Sequence, residues 1–385
     1  MKPKCLIPWT NINIGTLGRI DPCCKFDPSS YQEKLNIMEN NVEEYLQSKM
    51  LDKVKANMLQ DKWPKGCERC KVEEENNIPS KRQMDYERWK QHFDNYDQSQ
   101  GFITASVAFG NTCNLKCITC EAAVSSRWRK ESKDLFGKDV KPLETLNEQN
   151  VKNLYEHMKN VVHLDIPGGE PFLSDIEKQK DLLQGYIDSG KSKDISIHYT
   201  TNAQLFPDSV WWDLWSNFKE IDMQLSIDGI AEKYQYIRHP ASWETLEKHV
   251  ERYLEYEQKI PNLRLSVSHT VSAYNIFYLP DFFEWCEQMR LPKPWCGKVH
   301  NPPHMRPTVF PEEVKGKIIA KLLNCDIEEI HTWADLLEQE NDEDKFETFC
   351  RMRDRHDQYR KLDFSKTFAE FSDILKAYET NDKEK

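Results

Sequence analysis

Between residues 102 and 305 short strand-like runs alternate with longer helical stretches, and this rhythm constrains the fold more than any other feature of the chain. The strand candidates are 103–110, 161–167, 195–202, 221–228, 263–271 and 297–302. Strands separated by helical spacers fit a parallel α/β sheet, because parallel neighbours need a crossover whereas antiparallel ones need only a turn. The spacers thereby disfavour the rival arrangement, an antiparallel sheet with one wet face. Six strands predict a partial barrel rather than a closed barrel of eight.

Side chains alternate faces along a strand. In 195–202, Ile195, Ile197 and Tyr199 share one face, opposite Ser196, His198, Thr200 and Asn202. The next strand sets Ile221, Met223, Leu225 and Ile227 against Asp222, Gln224, Ser226 and Asp228; the next sets Leu263, Leu265 and Val267 against Arg264, Ser266, Ser268 and Thr270. The apolar faces should meet outer helices and the polar faces should line the lumen. Closed barrels fill their interior with branched apolar side chains, so polar faces predict an open cavity for a polar ligand.

Cys113, Cys117 and Cys120 follow the first of these strands, and a helix is expected over 125–138. A loop at the C-terminal end of a barrel strand is where this architecture places its chemistry. Soft thiolates at this spacing suit three irons of a cubic cluster, whose usual protein-bound form takes four cysteines. One iron is then open to a ligand, as S-adenosylmethionine would require. A structural zinc site with a distant fourth ligand is the alternative. The second strand ends in Ile166-Pro-Gly168-Gly169-Glu170-Pro171, where glycines allow close backbone approach and Glu170 offers a carboxylate.

The three cysteines and the Gly-Gly-Glu-Pro turn one strand later resemble the radical S-adenosylmethionine superfamily. The resemblance implies a partial (β/α)6 TIM-type barrel and a [4Fe-4S] cluster on Cys113, Cys117 and Cys120. It also implies S-adenosylmethionine held by Gly168, Gly169, Glu170 and Asn202. Leu225-Ser-Ile-Asp-Gly229 with Tyr236-Ile-Arg238 is similar to the peptide-modifying branch, which implies cofactor contacts from Ser226 and Arg238. Thr119 stands where many members carry an aromatic, so adenine is expected to find other partners.

A second set of cysteines lies upstream: Cys5, then Cys23 and Cys24 after a hairpin around Gly15–Gly18, then Cys67 and Cys70. The set resembles a twitch domain, a shortened relative of the SPASM domain. That implies an auxiliary [4Fe-4S] cluster on Cys5, Cys23, Cys67 and Cys70, with Cys24 able to replace Cys23. A four-thiolate zinc ribbon fits the spacing almost as well. Helices are expected over 38–60 and 81–95.

These readings divide the chain into an N-terminal twitch-like module (1–98), a radical core (99–305) and a helical acidic extension (306–385), the last expected to be a solvated cap. The expected activity is reductive cleavage of S-adenosylmethionine to a 5′-deoxyadenosyl radical, followed by hydrogen abstraction from a peptide or protein. A nucleotide- or sugar-modifying enzyme, or an inactive zinc-stabilised scaffold, is the alternative. The expected partner is an external one-electron reductant resembling flavodoxin or ferredoxin, with the auxiliary cluster relaying electrons. A net charge of −11 argues against nucleic acid. No apolar run approaches the ~18 residues of a membrane span, and the cysteine pairing fits a reducing, cytoplasmic setting.

Overall fold

The computed structural model describes residues 5–75, 78–97, 101–141 and 146–383. The boundary expected at 98/99 lies outside them. Eight strands form one sheet: β1 (Asn11–Ile14), β2 (Ile20–Asp21), β3 (Thr104–Val107), β4 (His163–Ile166), β5 (Ser196–Thr201), β6 (Glu220–Ser226), β7 (Leu263–Val271) and β8 (Trp295–Lys298). Their order is β2-β1-β3-β4-β5-β6-β7-β8. Among the described strands, every neighbouring pair from β1 to β8 is parallel, and the β1–β2 hairpin is antiparallel.

Parity organises the layers. The apolar members of β5, β6 and β7 are buried, including Ile197, Tyr199, Met223, Leu225 and Val267. Most polar positions between them are only partly covered. The outer face is closed by helices at Ile176–Asp188, Ser209–Trp215 and Trp243–Lys259, where Trp211, Trp212 and Trp215 are core residues. The last strand runs from Trp295 to Lys298 where 297–302 was expected; Val299 N still donates to Val271 O (3.0 Å), and Pro302, without an N–H, cannot continue the ladder.

The N-terminal residues continue this sheet. Turn bonds from Gly15 N to Arg19 O (2.9 Å) and Gly18 N to Gly15 O (2.8 Å) close the hairpin, with Gly18 at φ 80°. β1 then pairs with β3 from Asn11↔Thr104 to Ile14↔Val107. The expected helix over 38–60 is two helices, Val42–Leu46 and Lys49–Leu59, because Ser48 caps the second at Leu51 N. Three helices border two cavities: α1 (Lys81–Phe93), α2 (Trp128–Phe136) and α3 (Phe346–Arg360). Among the described residues, no helix is long and apolar enough to cross a membrane.

Candidate active site

The loop after β3 is fixed from three directions. Its own strands of backbone are tied by Ser126 N to Asn111 O (2.7 Å) and Ser125 Oγ to Leu115 O (2.6 Å). The segment after β6 receives Lys116 N at His239 O and Ile118 N at Ile237 O, both 2.7 Å. The turn after β4 donates Gly169 N to Gly110 O (3.3 Å) and Glu170 N to Thr112 O (2.8 Å).

Gly169 explains why that turn carries glycine. A Cβ there would lie 2.4 Å from Thr112 O and 2.6 Å from Asn111 O. The missing side chain therefore lets the β4 turn dock on the cysteine loop, a role distinct from the approach to a ligand read in the sequence. Glu170 is likewise turned inward. It is fully buried, and its carboxylate accepts from Thr201 Oγ1 (2.7 Å) and Asn202 N (2.9 Å). Burial pushes its carboxyl up to about 7 despite those bonds.

A cavity of about 870 Å³ opens at the C-terminal ends of the strands. Cys113, Cys117, Cys120, Gly168, Gly169, Asn202, Ser226 and Arg238 all line it, whereas Glu170 stands behind the wall. Asn202 spans two elements: its amide donates to Asn114 Oδ1 at 2.8 Å and lies 3.9 Å from Cys113 Sγ. Cys113 Sγ also accepts from Leu115 N at 3.4 Å. Ser226 Oγ is 3.3 Å from Ser268 Oγ. Arg238 is fixed by Asp228, whose Oδ2 is 2.8 Å from Nη2 and whose Oδ1 accepts from Thr270 N. Its Nε is buried without a hydrogen-bond partner.

Burial raises all three thiols, Cys117 to about 11, against the lowering charge of Arg238 on Cys113 and Cys117. Such thiols stay protonated until a metal displaces the proton. Three soft donors on one wall, with an unpartnered guanidinium Nε beside them, fit an iron–sulfur cluster and an anionic group of a cofactor.

Cys5, Cys23, Cys67 and Cys70 lie near enough for their charges to act on one another. The charge of Cys5 is felt by Cys23, that of Cys23 by Cys67, and that of Cys70 by both Cys5 and Cys67. Burial raises Cys5 and Cys67 to about 12. Cys24 faces elsewhere, into a chamber of about 170 Å³ at the opposite end of the lumen, shared with Lys81, Arg88, His163, Asp165 and His198. Among the described residues, no group of three or more His, Cys, Asp or Glu is arranged to hold a single metal ion.

Sequence reasoning missed the far wall. Trp128, Phe136, His304, Met305, Thr348, Met352 and His356 line the same cavity, so the C-terminal extension enters the site instead of remaining a solvated cap. A signal was present: Phe349, Met352, His356 and Arg360 recur at helical spacing and form one buried stripe. His269 on β7 is buried with Nδ1 on Ile227 O at 2.8 Å.

No protein-family model matches the sequence, and no curated protein matches it. Among solved structures, native anSMEcpe with bound AdoMet aligns at 18% identity with a TM-score of 0.43, over 57% of this chain and 59% of that one. The chain thus spans about 59% of that protein's length. Native anSMEcpe with bound AdoMet and the Kp18Cys peptide gives 17% and 0.42, over 57% and 58%. Streptococcus suis SuiB bound to S-adenosylmethionine gives 14% and 0.37, over 79% and 65%. Likeness this distant leaves the functional reading to the chain's own residues.

Proposed function

We propose that this chain is a radical S-adenosylmethionine enzyme built on a partial barrel, acting on a peptide or protein. The observation that carries the reading is the convergence of Cys113, Cys117, Cys120, Gly168, Gly169, Asn202, Ser226 and Arg238 on one cavity. They come from the loop after β3, the turn after β4, the ends of β5 and β6, and the segment that follows β6.

Cys113, Cys117 and Cys120 would hold a [4Fe-4S] cluster, with S-adenosylmethionine at the open iron. When bound, the pair supplies a 5′-deoxyadenosyl radical after one-electron reduction. The protein binds, orients and excludes water. Gly168 and Gly169 present backbone to the cofactor's amino acid end, Glu170 holds Asn202 and Thr201 in register, and Asn202 steadies the loop at Asn114. Ser226 and the Asp228-fixed Arg238 supply polar contacts at the strand ends. Trp128, Phe136, Val140, Met305 and Met352 give the cavity an apolar side, which suits a peptide side chain better than a sugar.

Cys5, Cys23, Cys67 and Cys70 would hold an auxiliary [4Fe-4S] cluster closed to substrate and suited to passing electrons. Residues 1–98 would carry this module on the same sheet as the radical core of 99–305, with 306–385 as the extension. An external flavodoxin- or ferredoxin-like protein would supply the electron. Anaerobic reconstitution tests the reading. About eight irons per chain are expected for two cubes. Replacing Cys113, Cys117 and Cys120 by alanine should leave about half the iron and abolish 5′-deoxyadenosine formation. An iron-free wild type, stoichiometric zinc, or a triple variant that still cleaves the cofactor would sink it.

A further inference from the structure

The C-terminal helix α3 reaches the three-cysteine loop through two buried routes. On the first, Lys116, which lies between Cys113 and Cys117, places Nζ 2.8 Å from Glu131 Oε2 on α2. From α3, His356 Nδ1 meets Glu131 Oε1 at 2.8 Å, and Arg360 Nε meets Oε1 and Oε2 at 2.8 and 3.1 Å. An ionised carboxylate only accepts, so His356 carries its proton on Nδ1. On the second route the Arg360 guanidinium lies 4.8 Å from the Trp128 ring centroid. Trp128 Nε1 in turn donates to Cys117 O at 2.8 Å. The side chains of Arg360 and Glu131 are both 0% exposed.

Stability alone does not account for this hub. A buried ion pair contributes little beyond what well-packed apolar side chains would give, because desolvation cancels most of the attraction. Its distinctive products are a fixed geometry and charges acting through low-dielectric surroundings. Trp128 fixes the Cys117 carbonyl and the Arg360 charge reaches its thiol, and Lys116 with Arg360 leaves one positive charge in excess of Glu131. Three further bonds hold α3 in place: Arg355 to Leu135 O (2.6 Å), Tyr359 OH to Asp134 (2.7 Å) and Asp357 to Tyr236 OH (2.7 Å). The last joins α3 to the segment just before Arg238.

We infer that Arg360 and Glu131 are positioning residues of the cysteine site, and that their charges set how readily a cluster held there accepts an electron. This rests on the proposed function. Reduction adds negative charge, so a nearby cation favours the reduced state and a nearby anion opposes it. Removing each residue should therefore move the midpoint potential in opposite directions, which damage to folding would not do.

The test is an anaerobic potentiometric titration of the reconstituted full chain, followed by electron paramagnetic resonance with S-adenosylmethionine present. The signal that changes on adding S-adenosylmethionine identifies the three-cysteine cluster. Arg360→Met should lower the reduced-to-oxidised ratio about tenfold at fixed potential, 59 mV for one electron. Glu131→Gln should raise it similarly, and Arg360→Lys should stay near wild type. Should either buried variant fail to load, Lys116→Met, whose side chain is 19% exposed, should repeat the Arg360→Met shift. Potentials that stay within twofold of wild type, or that move in the same direction for Arg360→Met and Glu131→Gln, overturn the inference. A wild type with no signal responsive to S-adenosylmethionine overturns the proposed function instead.

Discussion

Two glycines set apart by their surroundings show what single residues decide. At Gly169 an added methyl meets backbone oxygens that cannot move without parting the β4 turn from the cysteine loop. Gly169→Ala should cost about 1–3 kcal/mol, the range for overpacking, and lower cluster loading. At Gly316, inside the helix Glu312–Leu323, the same methyl meets nothing within 4 Å. Gly316→Ala should stabilise by about 0.5–1 kcal/mol through reduced backbone freedom. Urea unfolding of the two variants checks both signs.

His198 supplies a pH-dependent counterpart. Its Nδ1 lies 2.8 Å from Asp222 Oδ2, and Ser266 Oγ holds the other oxygen at 2.8 Å. Burial pulls the imidazole down, but the Asp222 bond and the charges of Asp165 and Asp222 outweigh it and the opposing Arg88, so its value is raised. A group raised on folding stabilises fully below its unfolded value, near 6.5. That contribution is lost as pH rises through the folded value. The stability difference between wild type and Asp222→Asn should therefore be largest below about pH 6.5 and shrink above it. A difference independent of pH would contradict the assignment. Both residues were readable in sequence as lumen-facing, because strand parity alone places them; their partnership was not, because it joins neighbouring strands whose register only the fold sets.

Among elements, the α2–α3 contact carries the most concentrated charge. Burial opposes ionisation of Glu131, but His356, Arg360 and Lys116 overcome it and hold the carboxyl at about 2. A carboxyl depressed on folding contributes stability above its unfolded value, near 4.3. The contribution fades as pH falls through the folded value. Glu131→Gln leaves Arg360 buried without its counter-charge and should cost about 3–5 kcal/mol at pH 7. The deficit should narrow as pH falls from about 4 towards 2, measured by denaturant midpoints across that window. The elements themselves were legible wherever period and length agreed: β5 and β7 fall within a residue of expectation, and α1 differs only at its end. The last strand was poorly legible because 297–302 holds one apolar side chain, Val299, and the strand runs from Trp295 to Lys298. The stripe on α3 was overlooked because an acidic tail hid four positions that point inward.

At the scale of the whole molecule, the N-terminal residues behave as part of the sheet. Ile103 N donates to Thr10 O (2.7 Å) and Ala108 N to Ile14 O (2.9 Å), so β3 is bracketed by β1 along its length. Side chains continue the seam: Val42 N to Asn153 Oδ1 and Asn150 Nδ2 to Ile37 O, both 2.9 Å, and Thr16 Oγ1 to Ala123 O on the cysteine loop, 2.9 Å. Ile12, Ile14, Ile37, Val42, Tyr45, Leu51 and Val54 share one apolar core with Leu146, Val151 and Leu154. Each fully buried aliphatic side chain contributes about 1.5–3 kcal/mol, and a domain's net stability is only about 5–15 kcal/mol. Removing several at once exceeds that margin. A chain beginning at residue 99 would also present β3 as a bare edge, open to pairing with other copies. It should therefore lack a cooperative unfolding transition and should aggregate, even though every cysteine of the 113–120 loop remains. Near-ultraviolet circular dichroism and sedimentation of that truncated chain decide the matter. A soluble monomer with a sharp transition would show that the first 98 residues are a separable module attached to a core that folds alone.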